Sequence, residues 1–248
     1  MIDLPLALHI PDGFLSPGVA VVAGILAVAA VAYGLRVANV ELDEARVPLL
    51  GVLAAFIFAA QMLNFPIAGG TSGHFLGATL AAVLLGPWLA CLVMAVVIAV
   101  QAFAFADGGI SALGANVLNM GVLGALLAGY LVVAATKLLP HTRTAFLGTV
   151  AVVSWLAVMA GAGATSFELA ISDIVPLGTA LGAMLGVHSL IGIGEAVITA
   201  AAVGAVLSSR PDLIMIGRVD DLAACAGAGG RSAPPPPRTP AGRPEAAS

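Results

Sequence analysis

Runs of roughly 18 or more apolar residues with almost no charge recur between residues 17 and 208, and they constrain this chain more than any other feature. Such a run can cross a hydrocarbon core of about 30 Å as a helix, which satisfies its backbone polar groups internally. The chain is 60% hydrophobic and 9% charged, where a soluble domain of this length carries about a quarter charged residues. An all-α polytopic membrane helix bundle is therefore expected. The candidate spans are about 17–38, 46–64, 73–86, 87–105, 112–139, 144–170 and 176–208. The third is short for a full crossing and meets the fourth at Gly86-Pro87, so a re-entrant hairpin and a total of six spans are the alternative to seven.

The basic residues discriminate between these counts. Arg36 and Arg46 flank the first connection, Lys137 and Arg143 flank the connection after the fifth span, and Arg210, Arg218, Arg231, Arg238 and Arg243 follow the last. With seven spans all of them fall on one side. The N-terminal segment and the loops 65–72, 106–111 and 171–175 carry no Lys or Arg. The positive-inside rule then places the N-terminus outside and the C-terminus inside. Residues 8–208 form the expected transmembrane domain, and the Pro- and Arg-rich residues 209–248 an expected disordered cytoplasmic tail. Residues 1–7 lack the basic and apolar regions of a secretory signal. Cys91, inside an apolar run, reads as an inert buried thiol, and Cys225 as a cytosolic one. Gly178, Gly182 and Gly186 make a small-residue stripe suited to close helix packing.

The side without lysine or arginine collects polar and glycine residues: His9 and Asp12, the stretch from Asn64 through Thr71 and Ser72 to His74, Asp107-Gly108-Gly109, Asn116 and Asn119. Imidazole suits nickel, copper, zinc and cobalt, so His9 and His74 are candidate ligands; each could equally be a hydrogen-bonded loop residue. His188 and Glu195 lie seven residues apart within the last span and share a helical face. Ionisable groups in a span mark either a functional site or a polar contact that locks helices together. There is no G-x-x-x-x-G-K-[ST] loop, no H-E-x-x-H and no span with serial arginines, which leaves no legible ATPase, zinc protease or voltage sensor.

Five ordered motifs sharpen this picture. His-Ile-Pro-Asp-Gly-Phe-Leu-Ser-Pro (9–17), Ala-Ala-Phe-Ile-Phe-Ala-Ala-Gln-Met-Leu-Asn-Phe-Pro (54–66), Gly-Thr-Ser-Gly-His (70–74), Gly-Ala-Asn-Val-Leu-Asn-Met-Gly (114–121) and His-Ser-Leu-Ile-Gly-Ile-Gly-Glu-Ala-Val-Ile-Thr (188–199) resemble the CbiM/NikM family over about residues 8–208. That family comprises the substrate-binding membrane subunits of energy-coupling-factor transporters for cobalt and nickel. The resemblance implies a metal held by the N-terminal amine, the deprotonated amide and imidazole of a second-residue histidine, and a loop histidine. The matching positions here are Leu8 for the amine, His9 and His74. Asp12, Asn64, Thr71, Ser72, Asn116, Asn119 and His188 would support or gate the site, and Glu195 would serve coupling. Four nitrogens in a plane suit Ni(II) or Cu(II), and Co(II) accepts them.

The family's Met-His start is Leu8-His9 here, preceded by seven further residues. This leads to the expectation that translation starts at residue 8, on a leucine codon read as methionine, and that residues 1–7 are a mis-assigned start. The resemblance further implies two cytoplasmic ATPase subunits, a transmembrane coupling subunit and a small accessory membrane protein as partners. Co2+ or Ni2+ would be cargo rather than a permanently bound cofactor, with cobalt slightly favoured, and the location the bacterial inner membrane. Two other readings compete: a stand-alone secondary transporter or channel using His188 and Glu195 as a cation or proton relay, and a non-transport assembly protein.

Overall fold

The computed structural model describes residues 8–63, 65–67 and 71–216. The apolar runs fold as helices: α1 (Pro17–Glu41), α2 (Val47–Gln61), α3 (Ala78–Leu85), α4 (Pro87–Phe105), α5 (Leu113–Asn116), α6 (Gly124–Leu138), α7 (Arg143–Ile171) and α8 (Leu177–Ser209). α5 and α6 are one continuous rod, joined by a π-helical stretch at Val117–Leu123. Proline opens α1 and α4, where its missing N–H has no helical partner to lose. The Ser16 and Thr142 hydroxyls cap α1 and α7 by accepting from the Val19 and Ala145 N–H groups. Among the described residues five helices are long and apolar enough to cross a membrane, which makes the chain a multi-pass membrane protein.

The described parts of loop 65–72 form regular structure. Two short strands, β1 (Phe65–Ile67) and β2 (Thr71–Gly73), pair antiparallel with Phe65 opposite Gly73. The third candidate span also differs from expectation. Only Ala78–Leu85 is helical, about 12 Å long at 1.5 Å per residue, and all eight residues are buried. Residues 74–77 precede it as non-helical chain, so this segment is an interior element wrapped by the other helices. Non-helical backbone buried inside the bundle is tolerated because protein, not lipid, surrounds it.

Connections gather at two ends. At one, the Ser16 N–H donates to Ser172 Oγ at 3.0 Å, and the segment before α1 meets the loop after α4. At the other, Glu41, Gly86, Lys137, His141 and Met215 line one cavity, and Arg143 reaches the end of α8 through Gly204 O and Ser208 Oγ. Lys137, Arg143 and the end of α8 therefore share an end in space.

Two expectations change. The packed chain runs past residue 208: a turn at Pro211–Leu213 brings the Met215 and Ile216 N–H groups onto the Val83 carbonyl at 3.0 and 3.2 Å, and Ile214 and Ile216 are buried. Burial of two isoleucines and two backbone bonds holds what composition assigns to the tail; residues 217–248, with Cys225, lie outside the described residues, as do residues 1–7. The glycine stripe on α8 meets nothing among the described residues, for none of their atoms lies within 4 Å of a Cβ built on Gly178, Gly182 or Gly186. Cys91 is buried, as expected of an inert thiol.

Candidate metal site

His9 belongs to the non-helical segment that precedes α1, and neighbouring side chains hold that segment in place. Asn116 of α5 acts like an adjacent strand: its Oδ1 accepts from the Ile10 N–H at 2.8 Å and its Nδ2 donates to the Ile10 carbonyl at 3.1 Å. The Gly109 N–H donates to the same carbonyl at 2.8 Å. A Cβ on Gly109 would stand 2.3 Å from the Asp12 nitrogen, so only glycine permits this approach of loop to segment. Asp12 Oδ1 accepts from the Ser111 hydroxyl at 2.6 Å and the Ser111 N–H at 2.7 Å, and these bonds, the hydroxyl's foremost, hold its carboxyl below the usual range.

His74 follows β2 and begins the non-helical stretch 74–77, which is gripped from two sides. Glu195, buried within α8, accepts from the Leu76 N–H at 2.7 Å through Oε2 and from the Gly77 N–H at 2.9 Å through Oε1. Gln61 of α2 donates to the Leu76 carbonyl at 2.6 Å and itself accepts from Gln101 of α4 at 2.9 Å. Gly77 is left-handed at φ +78°, which lets the chain turn into α3.

These supports bring the two imidazoles against each other, with ring centroids 4.8 Å apart and planes tilted by 51°. Both residues are 5% exposed. His74 Nδ1 lies 2.9 Å from the Phe75 carbonyl, where an N–H belongs, so Nε2 is the ring's free lone pair. That Nε2, and both ring nitrogens of His9, are buried with no hydrogen-bond partner among the described residues. Buried polar atoms are nearly always bonded, so the unpartnered His74 Nε2 beside an unpartnered His9 ring, whose neutral form offers one lone pair, suits a cation better than a solvated loop. Burial pushes His9 well below the ordinary imidazole range, with the His74 charge adding to it. His74 is lowered by burial against the opposing pull of the Phe75 carbonyl and Asp107. Neutral rings are what metal ligation requires.

A cavity of about 320 Å3 opens beside the rings, lined by His9, Asp12, His74, Asp107 and Gly109 among others. No group of three or more His, Cys, Asp and Glu side chains among the described residues could hold an ion by itself. Two imidazoles alone are therefore an incomplete donor set, one that backbone nitrogens at residues 8 and 9 could complete. Leu8 is itself buried at 2% exposure, packed toward Gly161 of α7.

The other sequence candidates divide. Asn116 supports the site as described. Asn119 does not reach it: its Nδ2 donates to Glu168 Oε2 at 2.6 Å and Thr165 Oγ1 at 3.2 Å, tying the π-helical stretch to α7. His188 is buried, with Nδ1 2.8 Å from the Met184 carbonyl of its own helix, and close enough to His74 for their charges to interact. His188 and Glu195 thus have separate partners, despite sharing a helix face. Asn64 and the side chains of Thr71 and Ser72 lie outside the described residues. Sequence reasoning assigned no role to Gln61, Gln101 and Ser111, and named Asp107 only as part of the polar side. An amide inside an apolar run was the available signal for the first two; nothing local marks Ser111.

Known proteins resemble this chain in sequence and fold. A protein of Haloquadratum walsbyi named for metal transport is 42% identical over 207 residues, covering 84% of this chain and 93% of its own. The fused nickel transport protein NikMN of Rhodobacter capsulatus is 36% identical over 227 residues, 84% of this chain and 64% of that one. A crystal structure described as a transition metal transporter superposes with a TM-score of 0.73 at 33% identity, covering 80% of this chain and 92% of its own. The sequence model described as the cobalt uptake substrate-specific transmembrane region matches residues 9–213, nearly the whole packed bundle, and the chain therefore belongs to the CbiM family.

Proposed function

We propose that this chain captures Co2+ or Ni2+ at the His9–His74 site and delivers it across the membrane as the substrate-binding subunit of an ATP-driven energy-coupling-factor importer. The observation that carries the reading is the pair of adjacent buried imidazoles that line one cavity and whose ring nitrogens, His74 Nδ1 excepted, have no partner among the described residues, at the end of the bundle opposite Lys137 and Arg143. By the positive-inside rule that end faces outward, where a scarce cation is met. The inner bacterial membrane, the ATPase pair, the coupling subunit and a small accessory protein complete this reading. Cobalt is favoured slightly over nickel, in line with the family description.

The donor set in this proposal is His9 Nδ1 or Nε2, His74 Nε2, the His9 backbone nitrogen and the amine of residue 8 in a chain that starts there. Intact mass of the purified protein tests the last point, and a chain retaining residues 2–7 refutes it. The site is tested by titrating Co2+ and Ni2+ into detergent-purified protein by calorimetry. Sub-micromolar binding that His74→Ala abolishes supports the assignment; binding that survives His74→Ala overturns it. Uptake that persists without the ATPase subunits would favour a stand-alone transporter. The hydrogen bonds of His188 and Glu195 give each a structural partner, which weighs against a relay between them.

A further inference from the structure

The cavity beside the histidines holds two carboxylates with different commitments. Asp12 is engaged by the Ser111 hydroxyl and N–H. Asp107 Oδ2 is buried with no hydrogen-bond partner among the described residues, and Asp107 lines the same cavity and lies near enough to His74 for each charge to act on the other. Its position is set by the turn that ends α4: Ala106 is left-handed at φ 54°, and the Asp107 N–H donates to the Gln101 carbonyl at 3.1 Å. Yet His9, His74 and Asp107 are not grouped tightly enough to share one ion. Asp107 therefore stands outside the inner donor set while facing the space an incoming ion must cross.

We propose that Asp107 is the receiving group for the hydrated dication, holding it through its own water shell while the nitrogens replace those waters one by one. The proposal rests on the reading of His9 and His74 as ligands. A carboxylate is a hard oxygen acceptor, suited to the hydrogens of metal-bound water, whereas the imidazoles suit the stripped ion. Substitution on an aqua ion proceeds through an outer-sphere complex, so the rate scales with how much of that complex the protein accumulates. An anionic group in a low-dielectric recess raises it by concentrating the cation, and loops 106–111 and 171–175 at this rim carry no Lys or Arg to oppose it. Space is sufficient: six waters at about 30 Å3 each occupy well under the cavity's 320 Å3.

The test is stopped-flow mixing of the full chain, in detergent at low ionic strength, with Co2+ alone and with Ni2+ alone, for wild type, Asp107→Asn and Asp107→Ala. The association rate constant should fall roughly tenfold or more in both variants. Dissociation should be unchanged or slower, since a group that eases arrival also eases departure, and the d–d absorption of the bound metal should keep its wild-type form. Added salt should slow wild-type association toward the variants, a readout that needs no variant to fold. Association that is indifferent to both variants, or to salt in the wild type, overturns the proposal. Faster dissociation or an altered d–d spectrum also overturns it, by making Asp107 a direct ligand. A wild type that binds neither metal defeats the His9–His74 assignment instead, so the two failures are distinguishable.

Discussion

Glu195 offers the sharpest test of how the site is held. The stretch 74–77 hangs on three side-chain bonds, two to Glu195 and one to Gln61, and His74 stands two residues from the first of them. Glu195→Ala removes two of the three and leaves two buried N–H groups without an acceptor, at about 1–3 kcal/mol each. The loss falls on the loop that carries His74, so the ring must be re-ordered each time metal binds. If even about 1.4 kcal/mol of that loss reappears as an ordering cost, the metal dissociation constant rises tenfold. Glu195→Gln keeps one oxygen acceptor but turns an amide NH2 toward the other N–H, so it should lie between wild type and alanine. The assay is calorimetric titration with Co2+, with size-exclusion profiles to establish that each variant is folded. A folded Glu195→Ala protein with wild-type affinity would refute the clamp. If it also failed to transport, and transport followed the proton gradient, the relay reading of Glu195 would take its place.

Three further outcomes follow from the same geometry. Asn116→Leu leaves the Ile10 N–H without its partner, a loss of about 1–3 kcal/mol, and should weaken metal binding and lower the thermal midpoint together; an unchanged midpoint would remove Asn116 from the support of His9. Gly109→Ala drives a Cβ against the Asp12 and Pro11 backbone, which cannot rotate away, so it should cost on the order of 1–3 kcal/mol or more and impair Co2+ binding; wild-type binding would contradict the close approach. Burial lowers both imidazoles, so the unfolded chain, titrating near 6.5, binds more protons below that pH than the folded one does. Metal-free stability should therefore fall as pH drops through about 6.5, and a His9→Gln, His74→Gln double variant should show a shallower slope.

The bundle was legible because its signal is additive. A membrane helix is announced by every residue in an apolar run, and the basic residues mark its ends independently. Helix α3 escaped this logic because a buried interior segment and a lipid-facing one are equally apolar; only the length of chain that must stay non-helical to place His74 distinguishes them. Residues 211–216 escaped for the opposite reason, since two isoleucines in a Pro- and Arg-rich context carry too little weight to predict packing. His9 and His74 were named together through motifs, not spacing, as 65 residues separate them. The supports divide by chemistry. Gln61 and Gln101 break apolar runs and could have been flagged, whereas Asp107 matters for a partner it lacks, which no sequence displays.

Asn119 and Asn116 show how one motif can serve two purposes. They lie three residues apart on the same rod, yet Asn116 faces the segment carrying His9 while Asn119 faces Glu168 and Thr165 of α7. The π-helical stretch starting at Val117 lies between these two roles, and its wider turn rotates successive side chains by less than an α-helix would. One rod thus braces the candidate site and fastens the frame behind it. The other half of the site is braced separately, by α2, α4 and α8 through Gln61, Gln101 and Glu195. A metal bound between His9 and His74 would join two independently anchored segments. By mass action an ion present at a hundred times its dissociation constant adds about 2.7 kcal/mol to the stability of that joined state. Loosening either anchor should therefore lower the thermal midpoint of metal-free protein more than that of saturated protein only where the ion itself restores the lost contact. For Asn116 and Glu195 the broken bonds are to backbone groups that no metal can reach, and the deficit should persist at saturation.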